Sequence, residues 1–160
     1  MMKTSFLLFF ILCVSIINGQ EIFTLNDTLL KGPEGIIYDQ ETNQYFIANA
    51  NDGKILTMST ESEINVFAEG FGTAMGFSIV GDSLFISSNS PRLFSCLNKH
   101  TGDIIYQINL NDSTVSISQM VYDSRSQYMY LLGQEGCIVK IDIHNASYHM
   151  FKKFNQGISI

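Results

Sequence analysis

Gly32-Pro33-Glu34-Gly35-Ile36-Ile37-Tyr38-Asp39 sets a carboxylate between a proline and a glycine, directly ahead of an apolar run. The phrase returns twice in altered form. Gly76-Phe77-Ser78-Ile79-Val80 begins 41 residues after Gly35, and Gln119-Met120-Val121-Tyr122-Asp123 ends 84 residues after Asp39. A polar turn follows each opening: Gln40 to Asn43, Gly81-Asp82, and Ser124 to Gln127. A β-rich run comes next, at Tyr45 to Ala48, Leu84 to Ser87 and Tyr128 to Leu132. After another turn there is a third segment, at Gly53 to Met58, Arg92 to Cys96 and Gly136 to Ile141. A fourth closes each unit, at Ile64 to Phe67, Ile104 to Ile108 and Tyr148 to Phe151.

Four short strands in a unit of about forty residues form the pattern of a β-propeller blade. The turns carry the Asn, Asp, Gly and Ser that tight hairpins need. Past the N-terminus no window keeps a helical period over several turns, so the expected fold is all-β, a propeller of four-stranded blades. The blades fall at roughly 33–72, 73–115 and 116–155. A β-sandwich also spaces short strands by turns, but it gives no reason for the same quartet to recur at this interval.

The first twenty residues stand apart. One lysine (Lys3) precedes an apolar run from Phe6 to Ile17, and Asn18-Gly19 follows. A basic start, a short apolar core and a small residue read as a secretory signal peptide over 1–20. The run is shorter than the roughly twenty residues a membrane span needs. The expected product is secreted or periplasmic, with no membrane span. Loss of Lys3 takes the formal charge from −6 to −7, and that acidity disfavours nucleic acid as a partner. Sequons at Asn26, Asn111 and Asn145 are also ordinary turn sequence.

Gly157-Ile158-Ser159-Ile160 matches Gly76-Phe77-Ser78-Ile79 in type, as though a fourth unit begins at 156. Propellers close with four or more blades. The expectation is therefore a portion of a longer chain forming a six-bladed ring. Two chains sharing one ring and an open three-blade domain are the alternatives. An open stack leaves an apolar face and strand edges that invite self-association.

Pro33-Glu34-Gly35-Ile36-Ile37-Tyr38-Asp39, with Tyr45-Phe46-Ile47-Ala48-Asn49 and Gly53-Lys54-Ile55 behind it, resembles the first blade of the gluconolactonase, senescence-marker-protein and regucalcin-like six-bladed propellers. Ser118 to Asp123, Tyr128-Met129-Tyr130 and Lys140-Ile141-Asp142 resemble a later blade of that family. NHL-repeat and strictosidine-synthase-like propellers share these phrases. The resemblance implies a divalent metal (Ca, Mg, Mn or Zn) at one mouth of the channel and hydrolysis of sugar lactones or related esters. A hard cation there needs several oxygen ligands and would polarise the substrate carbonyl. Glu34 matches the first-blade ligand. The repeat sets it level with Met75, Ser118 and Gln156, and Ser118-Gln119 replaces the family's Asn-Asp. Serine and glutamine are weaker, neutral ligands. The candidate set is thus Glu34, with Ser118 and Gln156 as lesser members. No catalytic residue is assigned.

The remaining polar residues read as structural. Asp39, Asp123, Asn49 and Asn89 end strands as turn formers. Cys96 aligns with Met58 and Ile141 as a small core residue, and Cys137 aligns with Lys54. The offset between the two cysteines, on neighbouring blades, exceeds disulfide reach. His100, His144 and His149 fall in turns or outer strands, without partners at ligand spacing. Two functions follow: a secreted lactonase-like hydrolase, or a non-catalytic secreted propeller that binds a protein or glycan.

Overall fold

The computed structural model describes residues 27–110, 116–133 and 136–154. Among them are twelve strands and no helix. β1 (Pro33–Asp39), β2 (Gln44–Asn49), β3 (Ile55–Ser59) and β4 (Ile64–Ala68) form one antiparallel sheet in sequence order. β5 (Ala74–Val80), β6 (Ser83–Asn89), β7 (Arg92–Asn98) and β8 (Ile104–Asn109) form a second. The third holds β9 (Ile117–Asp123), β10 (Tyr128–Gly133), β11 (Cys137–Asp142) and β12 (Ser147–Lys153). The first strands β1, β5 and β9 lie side by side, so the sheets stack as consecutive blades of an unclosed propeller. The signal-peptide reading (1–20), Asn26, Asn111, Gln156 and the fourth-blade reading at 157–160 fall outside the described residues.

Local chemistry sets the hairpins. Gly81 takes φ 57° in the two-residue turn between β5 and β6, the left-handed geometry that such a turn requires. Asp39 and Asp123 open the longer first turns as expected. Each accepts a backbone N–H two residues on and a hydroxyl three residues on, from Glu41 and Thr42 or from Arg125 and Ser126.

Side chains alternate between two faces of each blade. Phe46, Ala48 and Ile55 on the front of the first blade meet Leu84, Ile86 and Leu97 on the back of the second. Phe85, Phe94 and Cys96 on the second blade's front meet Met129, Leu131, Val139 and Ile141 on the third's back. Each large apolar side chain buried this way contributes roughly 1.5–3 kcal/mol. Gly35 permits the first stacking step, because a Cβ there would stand 2.4 Å from the Met75 carbonyl oxygen of β5.

The register corrects one alignment. Cys96 pairs with Phe85 as Thr57 pairs with Phe46 and Lys140 with Tyr130. It therefore corresponds to Thr57 and Lys140, one position from the expected Met58 and Ile141. The β6–β7 turn holds two residues and the β2–β3 turn five, which hides the register in the sequence. Cys96 and Cys137 are nevertheless both buried thiols. Burial pushes the Cys96 thiol up, against hydrogen bonds with Ser83 and Tyr106.

Asn49 and Asn89 do more than form turns. The Asn89 amide donates to the Ile117 carbonyl (2.8 Å), and its oxygen accepts the Ile117 N–H (2.7 Å), joining the second blade to the third. Fully buried Asn49 donates to the Leu29 carbonyl and accepts the Lys31 N–H, holding the lead-in chain on the first blade. A backbone segment entering a blade from outside has no ladder partner, and these amides supply one.

Lys99 ties the first two blades together. Its side chain is 2% exposed, and its ammonium lies 2.6 Å from Glu41 Oε2 and 3.2 Å from Asp39 Oδ2. The hydrogen bond to Glu41 raises its pKa against the opposing effect of burial, and Asp39 adds to the rise. Burial pushes Asp39 up, but hydrogen bonds from Thr42, Lys99 and the Glu41 N–H, with the Lys99 charge, hold it below the usual range.

Candidate functional site

The register of all three inner strands breaks at the same place. Pro33 pairs with Asn49 and Gly35 with Ala48; Ala74 pairs with Ser88 and Gly76 with Ser87; Ile117 pairs with Gly133 and Gln119 with Leu132. Glu34, Met75 and Ser118 are the residues left over, each in a β-bulge. A bulge bends its strand and re-aims the side chain it carries. These are the positions that the sequence repeat sets level.

The three bulges line one cleft of about 420 Å³, together with the inner-strand residues beside them. Glu34 is exposed and, among the described residues, is the carboxylate of the cleft. Met75, Gly76, Phe77 and Met120 give it an apolar part, and Ser118 and Gln119 a neutral polar one. The Ser118 hydroxyl donates to the Leu132 carbonyl at 3.2 Å, which turns its proton into its own blade. Beneath Gly76, whose Cβ would stand 3.1 Å from it, the buried Ser87 hydroxyl has no hydrogen-bond partner among the described residues. An orphaned buried hydroxyl costs free energy unless a water or ligand atom meets it. A smaller apolar cavity of about 230 Å³ lies on the other side of β1, among Leu30, Pro33, Gly35, Ile36 and Ile47, with Glu34 at its rim.

The structure thus brings Glu34 and Ser118 into one cleft, while Gln156 lies outside the described residues. As a metal centre the visible donor set is poor. A hard cation takes several anionic oxygens, and here one carboxylate stands with a thioether and a hydroxyl committed to a carbonyl.

A second cluster was not legible from residue spacing. His100 is exposed, as expected, but it has partners. Its Nε2 lies 3.3 Å from Asp82 Oδ1, and one ligand atom each from Glu41, Asp82 and His100 fall within 4.8 Å of one another. The β5–β6 and β7–β8 turns of the second blade bring Asp82 to His100, 18 positions away, and the stacked β1–β2 turn of the first blade brings Glu41, 59 positions away. The Lys99 ammonium on Glu41 already supplies positive charge at this spot, which disfavours a cation beside it. His144 and His149 lie in the exposed β11–β12 turn and on β12.

No family model and no curated protein sequence matches the chain. Solved structures do. Virginiamycin B lyase from Staphylococcus aureus superimposes with a TM-score of 0.68 at 16% identity, over 83% of this chain and 45% of that one. This chain has the β-propeller fold. The WD40 repeats of RRP9 match with a TM-score of 0.66 at 13% identity, over 83% of this chain and 42% of that one. A chain of the nidogen/laminin complex matches with 0.63 at 16%, over 82% and 51%. The propeller therefore spans about half the length of the chains it resembles. Identities this low show the fold alone and do not single out gluconolactonase-type propellers. Among the described residues no helix is long and apolar enough to cross a membrane.

Proposed function

We propose that this protein is a secreted, non-catalytic binding propeller whose inner-strand cleft takes a glycan or a protein side chain through a cationic or hydrogen-bond-donating group held by Glu34. One observation carries the reading: the three bulges line a single cleft, and they bring to it one carboxylate, one thioether and one hydroxyl. That set can hold a donor group against an apolar wall, as ligand clefts commonly do. Both kinds of function occur on this architecture, since the structural neighbours include a lyase and a nidogen/laminin complex. Fold therefore does not choose between them, and side chains must.

The second reading is a metal-dependent hydrolase of sugar lactones or related esters. Its support is the place of Glu34 at the first-blade bulge and its resemblance to a lactonase ligand. Glycan and peptide arrays, run beside calorimetry with Ca²⁺, Mn²⁺ and Zn²⁺ and a lactone hydrolysis assay, separate the two. The expected outcome is an array ligand whose affinity falls about 10- to 100-fold in Glu34→Gln, the value of a hydrogen bond to a charged group, with no lactone turnover. Metal binding that Glu34→Gln abolishes, together with turnover, would overturn the proposal in favour of the hydrolase.

A further inference from the structure

The β11–β12 turn carries a motif that the cleft does not use. Asn145-Ala146-Ser147 has the Asn-x-Ser form of an N-glycan acceptor, and its three residues are exposed. The turn repeats the β7–β8 turn one blade earlier. Asn98 and Asp142 each close it by accepting the backbone N–H groups two and three residues on, from His100 and Thr101 or from His144 and Asn145. Gly102 and Ala146 then follow at φ 80° and 48°. Asn145 thus corresponds to Thr101, and Ser147 to Asp103.

This correspondence bears on exposure. The second blade has a neighbour on each side, through β1–β5 and β5–β9 contacts, yet Thr101 and Asp103 remain exposed. A further blade packed on the third in the same way leaves Asn145 and Ser147 in solvent as well. The turn itself calls for neither residue, since Thr101 and Asp103 serve the same geometry in the second blade.

The acceptor nitrogen can carry a substituent without loss of the turn. A primary carboxamide has two N–H donors. One N–H of Asn145 Nδ2 reaches Asp142 Oδ2 at 2.8 Å, and the other has no partner among the described residues. Substitution of that second N–H keeps the bond to Asp142.

Asn145 also lies at the opposite end of its blade from the cleft. Asp142 pairs with Tyr128 and Tyr128 with Asp123, whereas the Ser118 bulge sits between the partners of Gly133 and Leu132. From Tyr128 to Gly133 the strand rises roughly 17 Å, at about 3.4 Å per residue. A group on Asn145 projects away from the Glu34 cleft and leaves it open.

We infer that Asn145 is an N-glycosylation site, which takes an oligosaccharide from a polyprenyl-pyrophosphate-linked donor. Delivery to that donor follows from the secretory reading of residues 1–20, on which this site depends; it does not depend on what the cleft binds. The new bond joins Asn145 Nδ2 to C1 of the first sugar. The C1–O bond to pyrophosphate breaks, its electron pair leaves on the pyrophosphate, and the proton lost from Nδ2 passes to solvent. A bulky, hydrated group then covers this end of the blade and keeps other proteins from it.

Translation of the full chain with endoplasmic-reticulum microsomes tests delivery and modification separately. Asn26→Gln with Asn111→Gln leaves Asn145 as the remaining sequon. That chain is expected to become protected from added protease and to gain one mobility step that endoglycosidase H removes. Adding Asn145→Gln or Ser147→Ala should abolish the step and keep the protection, whereas Ser147→Thr should keep both. A protected chain without the step, or a step that survives Asn145→Gln, would overturn the assignment of Asn145 alone. An unprotected chain would overturn the secretory reading and the site with it.

Discussion

Replacing Lys99 by methionine removes the ammonium from the junction of the first two blades while keeping most of the apolar stem. Deleting one partner of a fully buried ion pair costs about 3–5 kcal/mol, because the other charge is left uncompensated. Two features reduce that figure here. The Glu41 side chain is 63% exposed, so its contact with Lys99 has the value of a surface pair, about 0–1 kcal/mol. Asp39, 6% exposed, keeps the hydroxyl of Thr42 at 2.8 Å and the Glu41 N–H at 3.3 Å. The expected loss is about 2 kcal/mol, equivalent to a fall in Tm of roughly 8 °C for a domain of this size. Urea unfolding of Lys99→Met, Asp39→Asn and the double variant measures it. In the double variant the stranded carboxylate is gone, so a coupling of about 1–2 kcal/mol is expected. A loss below about 0.5 kcal/mol, or strictly additive single variants, would refute the buried-pair account.

The same pair predicts the pH dependence of stability. Asp39 has a lowered pKa in the fold, so its contribution is present above the unfolded value of 3.8 and is lost as pH falls through the lower folded value. Lys99 has a raised pKa, so its contribution is complete below 10.5 and is lost as pH rises through the higher folded value. Melting followed from pH 2 to 12 should show both limbs, and Lys99→Met should flatten the alkaline one. Gly35→Ala places a Cβ 2.4 Å from the Met75 carbonyl and should cost about 1–3 kcal/mol in urea unfolding through overpacking. Asn89→Ala leaves the N–H and carbonyl of Ile117 without their amide partner and should cost about 2 kcal/mol. Amide exchange at the start of β9 should quicken more than at β5.

The blades were legible because a blade is a local object. Its strands pair with sequence neighbours through short turns, so its pattern of apolar runs and turn residues is written in consecutive residues. What lies between blades was not. Lys99 sits in a turn where a lysine is unremarkable, and its partners Asp39 and Glu41 are 60 and 58 residues away. Asn89 has the sequence of a turn former, and only the arrival of Ile117 beside it makes its amide a clamp. Cys96 slipped by one position because a two-residue turn and a five-residue turn cannot be aligned without the ladder between them. His100 has no partner at ligand spacing along the chain, yet stacking of the turns carries Asp82 and Glu41 to it.

Glu34 was legible as a position, and the structure separates what that position owes to the fold from what it owes to function. The bulge recurs with glutamate, methionine and serine alike, so blade geometry makes the bulge, and the side chain is free to vary. Glu34 is exposed, in contrast to Gly35 beside it, which the stacking of two blades requires. Glu34→Gln should therefore leave stability within about 0.5 kcal/mol, the usual range for a surface change, while Gly35→Ala does not. If Glu34→Gln instead destabilised the chain to a similar degree, the carboxylate would be part of the scaffold and its place in the cleft would carry no functional meaning. If stability holds and ligand affinity falls, the charge at the bulge is there for what binds to it.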